Sequence, residues 1–397
     1  MKLATTLFFA FLLTTSLVHG QTWIEMDSMP PGNGLLKPFS FSINGMLYVG
    51  GGDDTSNHAL NTFFMYDPSS NTWTQKANIP TALYATGDFV LHGKGYVACG
   101  SLPGPSNLVY MYDPTTDTWT QKNNFPGTPR ENGVGFSFNG KGYISGGFVG
   151  VNTLTNDMWQ YNDSTDTWTQ MANVPGPTRN GPMFLVISNQ AFIGLGNDVS
   201  GSTYYSDFYE FNPDSNTYSR VADIPVARGS GANFTLGNYG YVGLGVTANG
   251  VVNDFYIYDP VVNTWTLTNN FGGLARAHVF NEVVAGVPYV GCGNDSAGAY
   301  LSDNWAFGYP TGIKDITTDN SVIKCYPSPT SESFTIDMSG YGTGEKQITI
   351  YDDLGQAVYQ TLTVQDKVQI NNRFSTGLYN ISVIQGMHKD YAKVILE

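Results

Sequence analysis

Charge is scarce in this chain. Of its 397 residues only 13% are Asp, Glu, Lys or Arg, and 32 acidic residues outnumber 18 basic ones, leaving a net charge of −14. So few cations make a poor surface for a phosphate backbone or an anionic bilayer, and nucleic acid is not an expected ligand. Cysteine is scarcer still, at three residues, which cannot build a disulfide framework. Histidine is also sparse and scattered: beyond His19 there are only His58, His92, His278 and His388. No His-x-His or His-x-x-x-His spacing occurs, so no metal site and no cofactor are expected. The chain also has no nucleophile elbow, phosphate loop or zinc helix motif. Past residue 20 no apolar run is long enough to span a bilayer.

What the chain has is repetition. Glycine (46 residues) and aromatics (14%) recur in register. A five-residue signature begins at Tyr48, Tyr96, Tyr143, Phe192, Tyr241 and Tyr289, as in Tyr48-Val49-Gly50-Gly51-Gly52, with spacings of 48, 47, 49, 49 and 48 residues. Short strand-like runs ending in glycine at so regular a period predict a radial architecture in which each unit buries its faces against its neighbours. A second landmark follows in five of the units, an aromatic strand leading through a turn to a ring: Tyr66-Asp67-Pro68 to Trp73, Tyr112 to Trp119, Tyr161 to Trp168, Phe211 to Tyr218 and Tyr258 to Trp265. The sixth unit has Trp305-Ala306-Phe307 but no Thr-Trp after it, whereas Thr22-Trp23 stands near the start of the chain with no strand before it. This complementarity predicts that residues 22 to 27 supply the missing outer strand and close the ring.

The two landmarks resemble the kelch repeat over residues 21–310. The resemblance implies an all-β fold, a six-bladed kelch β-propeller closed by the N-terminal strand. In blades 2, 4, 5 and 6 the first glycine of the usual pair is replaced by Cys99, Leu195, Leu244 and Cys292. Cys99 and Cys292 share one repeat position with blade 1 between them, too far apart to bridge, and Cys325 has no evident partner.

The ends read differently. Residues 1–20, with Lys2, an apolar run from Leu7 to Leu13 and Gly20, have the pattern of a cleavable secretory signal. A Thr/Asp/Asn-rich linker, 311–322, leads to residues 323–397, where alternating runs such as Ser333-Phe334-Thr335-Ile336 and Gln347-Ile348-Thr349-Ile350-Tyr351 predict a small C-terminal β-sandwich. Tyr326-Pro327-Ser328-Pro329, Leu354-Gly355-Gln356, Gly377-Leu378-Tyr379 and Lys393 make this tail similar to the C-terminal sorting domain of type IX secretion cargo from Bacteroidota. That implies Sec export to the periplasm, engagement of the type IX machinery, and a secreted or outer-membrane surface location.

Two classes of candidate residue follow from the repeat. Arg130, Arg179, Arg228 and Arg276 share one repeat position, and Asp157, Asp207, Asp254 and Asp303 open the third strand of the same four blades. One reading makes the arginines a ring of guanidinium forks for carboxylates or acidic sugars. The preferred reading is a structural Arg/Asp ring, mutually neutralised near the channel, with Asn61 and Asn107 standing in for it in blades 1 and 2. Specificity is then expected where the symmetry breaks, at Lys37, Asp53, Asp54, His58, Tyr84 and Glu131, on the face carrying the variable second-to-third strand loops.

The expected role is a non-catalytic binding module for an extracellular protein or glycan. Two kelch-type enzyme families invite comparison. Kelch-type copper radical oxidases need a histidine and tyrosine set that this chain does not supply. Six-bladed kelch proteins that equilibrate sialic acid anomers would need a channel acid or base, for which Glu131, Asp157 or His278 are available; a carboxylate with a raised pKa in the mouth would favour this alternative.

Overall fold

The computed structural model describes residues 22–30, 34–56, 58–308 and, with short internal gaps, 323–396. The segments read as signal and linker lie outside the described residues. The chain divides into two compact units, and each is described by itself.

In the first unit, six four-stranded antiparallel sheets follow one another. Their innermost strands are Phe39–Ile43, Gly87–Leu91, Val134–Phe138, Met183–Ile187, Ala232–Leu236 and Phe280–Val284. The sixth sheet takes its outer strand from the start of the chain: Thr22–Met26 pairs antiparallel with Asn304–Gly308, Trp23 opposite Phe307. Trp23 then sits among Phe234, Phe255, Phe271 and Phe307, so ring closure is sealed by aromatic packing as well as by backbone pairing.

The repeated motif has a physical reason. Each strand-three tyrosine is buried and donates its hydroxyl to the turn residue five positions on: Tyr66 to Asn71 (2.6 Å), Tyr112 to Asp117 (2.7 Å), Tyr161 to Asp166 (2.7 Å) and Tyr258 to Asn263 (2.9 Å). Those turn residues have φ between 52° and 54°, a conformation that Asn and Asp tolerate better than other side chains. The strand-four ring then reaches the preceding blade: Trp73, Trp119 and Trp265 Nε1 donate to the carbonyls of Asp27, Ala77 and Ala222 at 2.8 to 2.9 Å. Aromatics thus staple neighbouring blades. Between them, Phe41 and Phe89 press onto Gly95 and Gly142, where an added Cβ would collide with the ring.

The second unit has two sheets, one of three strands (Lys324–Tyr326, Ser333–Asp337, Lys367–Asn371) and one of four (Lys346–Tyr351, Ala357–Thr363, Gly377–Gln385, His388–Leu396). Alternate residues, among them Phe334, Ile336, Ile348, Ile350, Ile381 and Val383, form one buried core. Among the described residues no helix is long and apolar enough to cross a membrane.

Candidate functional site

The inner strands converge on a central channel whose mouth holds a cavity of about 380 Å³. The mouth is framed by a closed ring of backbone hydrogen bonds. Lys37 N–H donates to His278 O, Ala85 to Lys37, Asn132 to Ala85, Gly181 to Asn132, Ser230 to Gly181 and His278 to Ser230, at 2.8 to 3.2 Å. All six residues have left-handed φ, between 53° and 60°. The backbone here has no free donors or acceptors around the ring, so selectivity rests on the side chains. One residue earlier in each unit, Leu36, Tyr84, Glu131, Asn180, Gly229 and Ala277 pair outward with the second-to-third strand loops.

Below this collar the six blades diverge. At the second position of the inner strand stand Ser40, Asp88, Gly135, Phe184, Asn233 and Asn281; at the third stand Phe41, Phe89, Phe136, Leu185, Phe234 and Glu282. Glu282 therefore occupies a site that is apolar in every other blade. On the blade it faces, Leu47 fills the place held by Gly95, Gly142 and Gly240 elsewhere. Asp88 accepts a hydrogen bond from Ser40 N–H at 2.6 Å, and Ser40 Oγ donates to Glu282 Oε1 at 3.0 Å. One serine thus links carboxyl groups from blades 2 and 6. Burial pushes the Asp88 carboxyl up to about 7. Burial, with Asp88 nearby, pushes Glu282 up to about 8. Both line the cavity and are partly exposed to it, yet protein surrounds them on nearly every side.

On the collar above, burial and then the charge of Lys37 depress His278 to about 4, leaving its imidazole neutral. Its Nδ1–H donates to Asn294 Oδ1 at 2.9 Å, so Nε2 keeps its lone pair. Burial likewise holds Lys37 below the ordinary lysine value, opposed by Glu131 and Asp53. The titratable groups that line the cavity all belong to blades 6, 1 and 2. The opposite wall is neutral, with Gly135, Phe184 and Asn233.

Of the residues singled out in the sequence, Lys37 lines this cavity. Asp53 is 7% exposed beside the mouth, its Oδ1 without a hydrogen-bond partner. Tyr84 and Glu131 hold equivalent rim positions. Asp54 folds its own loop, accepting from Ser56 and His58 N–H at 2.8 and 3.0 Å, and those bonds hold its carboxyl below the usual range. The His58 side chain is 74% exposed and lies 3.8 Å from Asp54.

The arginines and aspartates pair within blades and do not line the cavity. Arg130, Arg179 and Arg228 grip Asp157, Asp207 and Asp254 with two-pronged contacts of 2.6 to 3.1 Å, and Arg276 does the same with Asp303. All four guanidinium groups are at most 1% exposed. Each also donates to two or more backbone carbonyls, Leu195 and Pro177 for Arg179, and lies over an aromatic ring, Phe125, Tyr205, Tyr256 or Phe271. Burial opposes the charge of Asp157, but Arg130 with Trp159 and Thr155 holds its carboxyl below the usual range.

The pairs lie behind the collar, each guanidinium turned to the carboxylate of its own blade, and they do not line the cavity. One correction follows. Asn61 and Asn107 do not replace the aspartates. The backbone bonds that match Asp157 O to Gly146 N–H match Thr62 O to Gly51 and Leu108 O to Cys99, while Leu35 and Leu83 accept where the arginines do. Blade 2 carries the same lock in apolar form, Leu83 with Leu108, and blade 1 has Leu35 with Thr62 at these positions.

Asp88, Glu282 and Ser40 escape a motif search because none forms a motif. The available signal was register: with the inner strands aligned on the glycines, a glutamate appears in a column of phenylalanine and leucine.

Among the described residues no group of His, Cys, Asp and Glu is arranged to hold a metal ion. Cys99, Cys292 and Cys325 are free thiols.

Comparison with known proteins agrees with this architecture. Residues 40–242 match the model of the KLHDC2/KLHL20/DRC7 kelch-repeats domain. Residues 324–397 match that of the secretion system C-terminal sorting domain. Among solved structures, that of YjhT is similar with a TM-score of 0.61 at 15% identity, over 70% of this chain and 95% of that one. At such identity the likeness concerns fold alone. No curated protein sequence matches the chain.

Proposed function

Because this chain belongs to the kelch-repeat propellers and ends in a type IX sorting domain, we propose that it is a secreted or cell-surface binding module whose channel mouth takes up an extracellular glycan. Sec export and passage through the outer membrane with loss of the tail complete this reading. The observation that carries it is the broken symmetry of the channel. A cavity of about 380 Å³ suits a terminal sugar unit, and it offers carboxyl, hydroxyl and amide groups on one wall with Phe184 on the other. Sugar hydroxyls both donate and accept, which fits a wall whose carboxyl groups hold protons up to the neutral range. The test is binding of the full chain to an array of bacterial and plant polysaccharides. Saturable binding lost in Asp88→Asn or Glu282→Gln supports the reading; a blank array shifts the ligand to a protein, sought by pull-down from the cell surface.

A second reading, an anomer-equilibrating enzyme, draws on one observation. Asp88 and Glu282 are joined through Ser40 and are pushed to about 7 and 8, the range in which one group can give a proton while another takes one. Anomer exchange of reducing sugars followed by proton NMR, with the same two variants, tests it. An exchange rate equal to that of buffer removes it.

A further inference from the structure

Lys37 presents a problem that neither reading absorbs. It is the only cationic side chain on the collar, and it lines the cavity from a left-handed backbone position, φ 53°. Its backbone N–H and C=O are used in the ring, which fixes the root of the side chain. Its ammonium finds no hydrogen-bond or ion-pair partner among the described residues. This contrasts with Lys76, Lys94 and Lys122, which reach Asp117, Asp113 and Asp166 at 2.8 to 3.4 Å. A mostly buried, unpaired ammonium is costly and persists only where it has a use.

The groups facing it are His278 on the neighbouring collar position, Asp53 and Glu131 at the rim, and the Asp88 and Glu282 pair below. The Asp53 carboxyl is buried beside it with one oxygen unpartnered. The charges acting on this lysine from Asp53 and Glu131 already offset its own, which argues against an anionic ligand as its target. They suit a lysine that reacts as the free amine.

We propose that Lys37 is a nucleophile that captures a carbonyl compound, such as the open-chain aldehyde of a sugar, as a reversible imine. The neutral Nζ lone pair attacks the carbonyl carbon, and one of its two N–H protons passes to the carbonyl oxygen, giving a carbinolamine. Asp53 donates a proton to the departing hydroxyl, which leaves as water, and takes back the remaining N–H proton as the imine forms. The C=N bond forms as the C–O bond breaks, no oxidant or reductant is needed, and water reverses the reaction. Burial favours the neutral amine in which this chemistry starts. The inference does not depend on glycan binding, since any small aldehyde tests it.

The experiment incubates the full chain with D-glyceraldehyde and sodium cyanoborohydride across a pH series, and quantifies adducts at each lysine by peptide mass spectrometry. Lys37 is expected to be labelled at least about tenfold faster than Lys76, Lys94 or Lys122 at pH 7.5. Its rate midpoint is expected below that of a free lysine. Labelling no faster than at those three, or a midpoint at the free-lysine value, overturns the proposal. Asp53→Asn, checked for an unchanged melting transition, is expected to slow Lys37 labelling several-fold; an unchanged rate removes Asp53 from the mechanism.

Discussion

The blade locks and the channel wall are built from the same repeat and treat charge in opposite ways. In the locks, four arginines and four aspartates recur at fixed positions, and each guanidinium is fully engaged by a carboxylate, backbone carbonyls and an aromatic face. In the wall, Lys37, Asp88 and Glu282 each occur once, and no charged group answers them in the other blades. Repetition of a charged pair therefore marks architecture, and departure from the repeat marks the place where the protein spends stability on something else.

The largest expected effect breaks a lock. Arg179→Leu leaves Asp207 buried without its partner, at a cost of about 3–5 kcal/mol in denaturant unfolding. Arg179→Leu with Asp207→Leu copies the Leu83 and Leu108 arrangement of blade 2 and is expected to recover about half of that. Recovery stays partial because the carbonyls of Leu195 and Pro177 lose their donors. A double variant no better than the single one would mean that the apolar lock of blade 2 depends on its own surroundings.

Next comes ring closure. Trp23→Ala removes the ring packed among four phenylalanines and is expected to cost about 3–5 kcal/mol. A loss under about 1 kcal/mol would show that backbone pairing of Thr22–Met26 alone closes the propeller.

How far these features could be read from sequence follows the same division. The six units, the closing strand and the alternating strands of the tail were legible because each recurs or alternates. The lock was legible as a co-occurrence of Arg and Asp, whereas Asn61 and Asn107 look like replacements only by residue type. Counted four residues back from Tyr66 and Tyr112, as Asp157 is from Tyr161, the aspartate position falls on Thr62 and Leu108, and the bonds from Gly51 and Cys99 agree. In the tail, Lys324–Tyr326 is hard to read because it is only three residues long, and the seven-residue Ala357–Thr363 because its apolar Val358 and Leu362 are exposed. The collar was invisible because it is made of backbone, and Ala85, Asn132, Gly181 and Ser230 share no side-chain chemistry. Asp88 and Glu282 were missed because a single departure in one column carries no motif.

A smaller effect reads the wall through pH. Asp88 and Glu282 bind protons up to about 7 and 8 in the folded protein, whereas unfolded carboxyl groups release them near 4. Between pH 6.5 and 8.5 the native state therefore holds more protons than the unfolded chain, and stability falls as pH rises. His278 adds no slope here, because its depressed value makes a contribution that is complete above about 6.5 and lost only below it. Partial exposure of both groups to the cavity reduces the effect, and a loss of about 1 kcal/mol across this window is expected. Glu282→Gln should remove most of the slope. Glu282→Leu, which restores the residue type of blade 4, should also raise stability at pH 8.5, and an unchanged slope in either would place the titration elsewhere.

The smallest expected effect tests whether every departure from the repeat has the same meaning. At the outer turn of blade 5, Val261 and Val262 are 87% and 61% exposed, where the other four such turns have Ser69-Ser70, Thr115-Thr116, Ser164-Thr165 and Asp214-Ser215. In this turn the backbone N–H of both residues donates to Asp259 Oδ1, so the valine side chains contribute nothing to the bonds. Replacing both by serine is expected to change unfolding stability by less than about 0.5 kcal/mol. The same pair of changes should leave the pH slope untouched. A departure in the wall displaces an apolar side chain from a packed column and brings in a group that titrates. One at an exposed turn alters only what water touches, and the two kinds separate by their response to pH even where the sequence marks them alike.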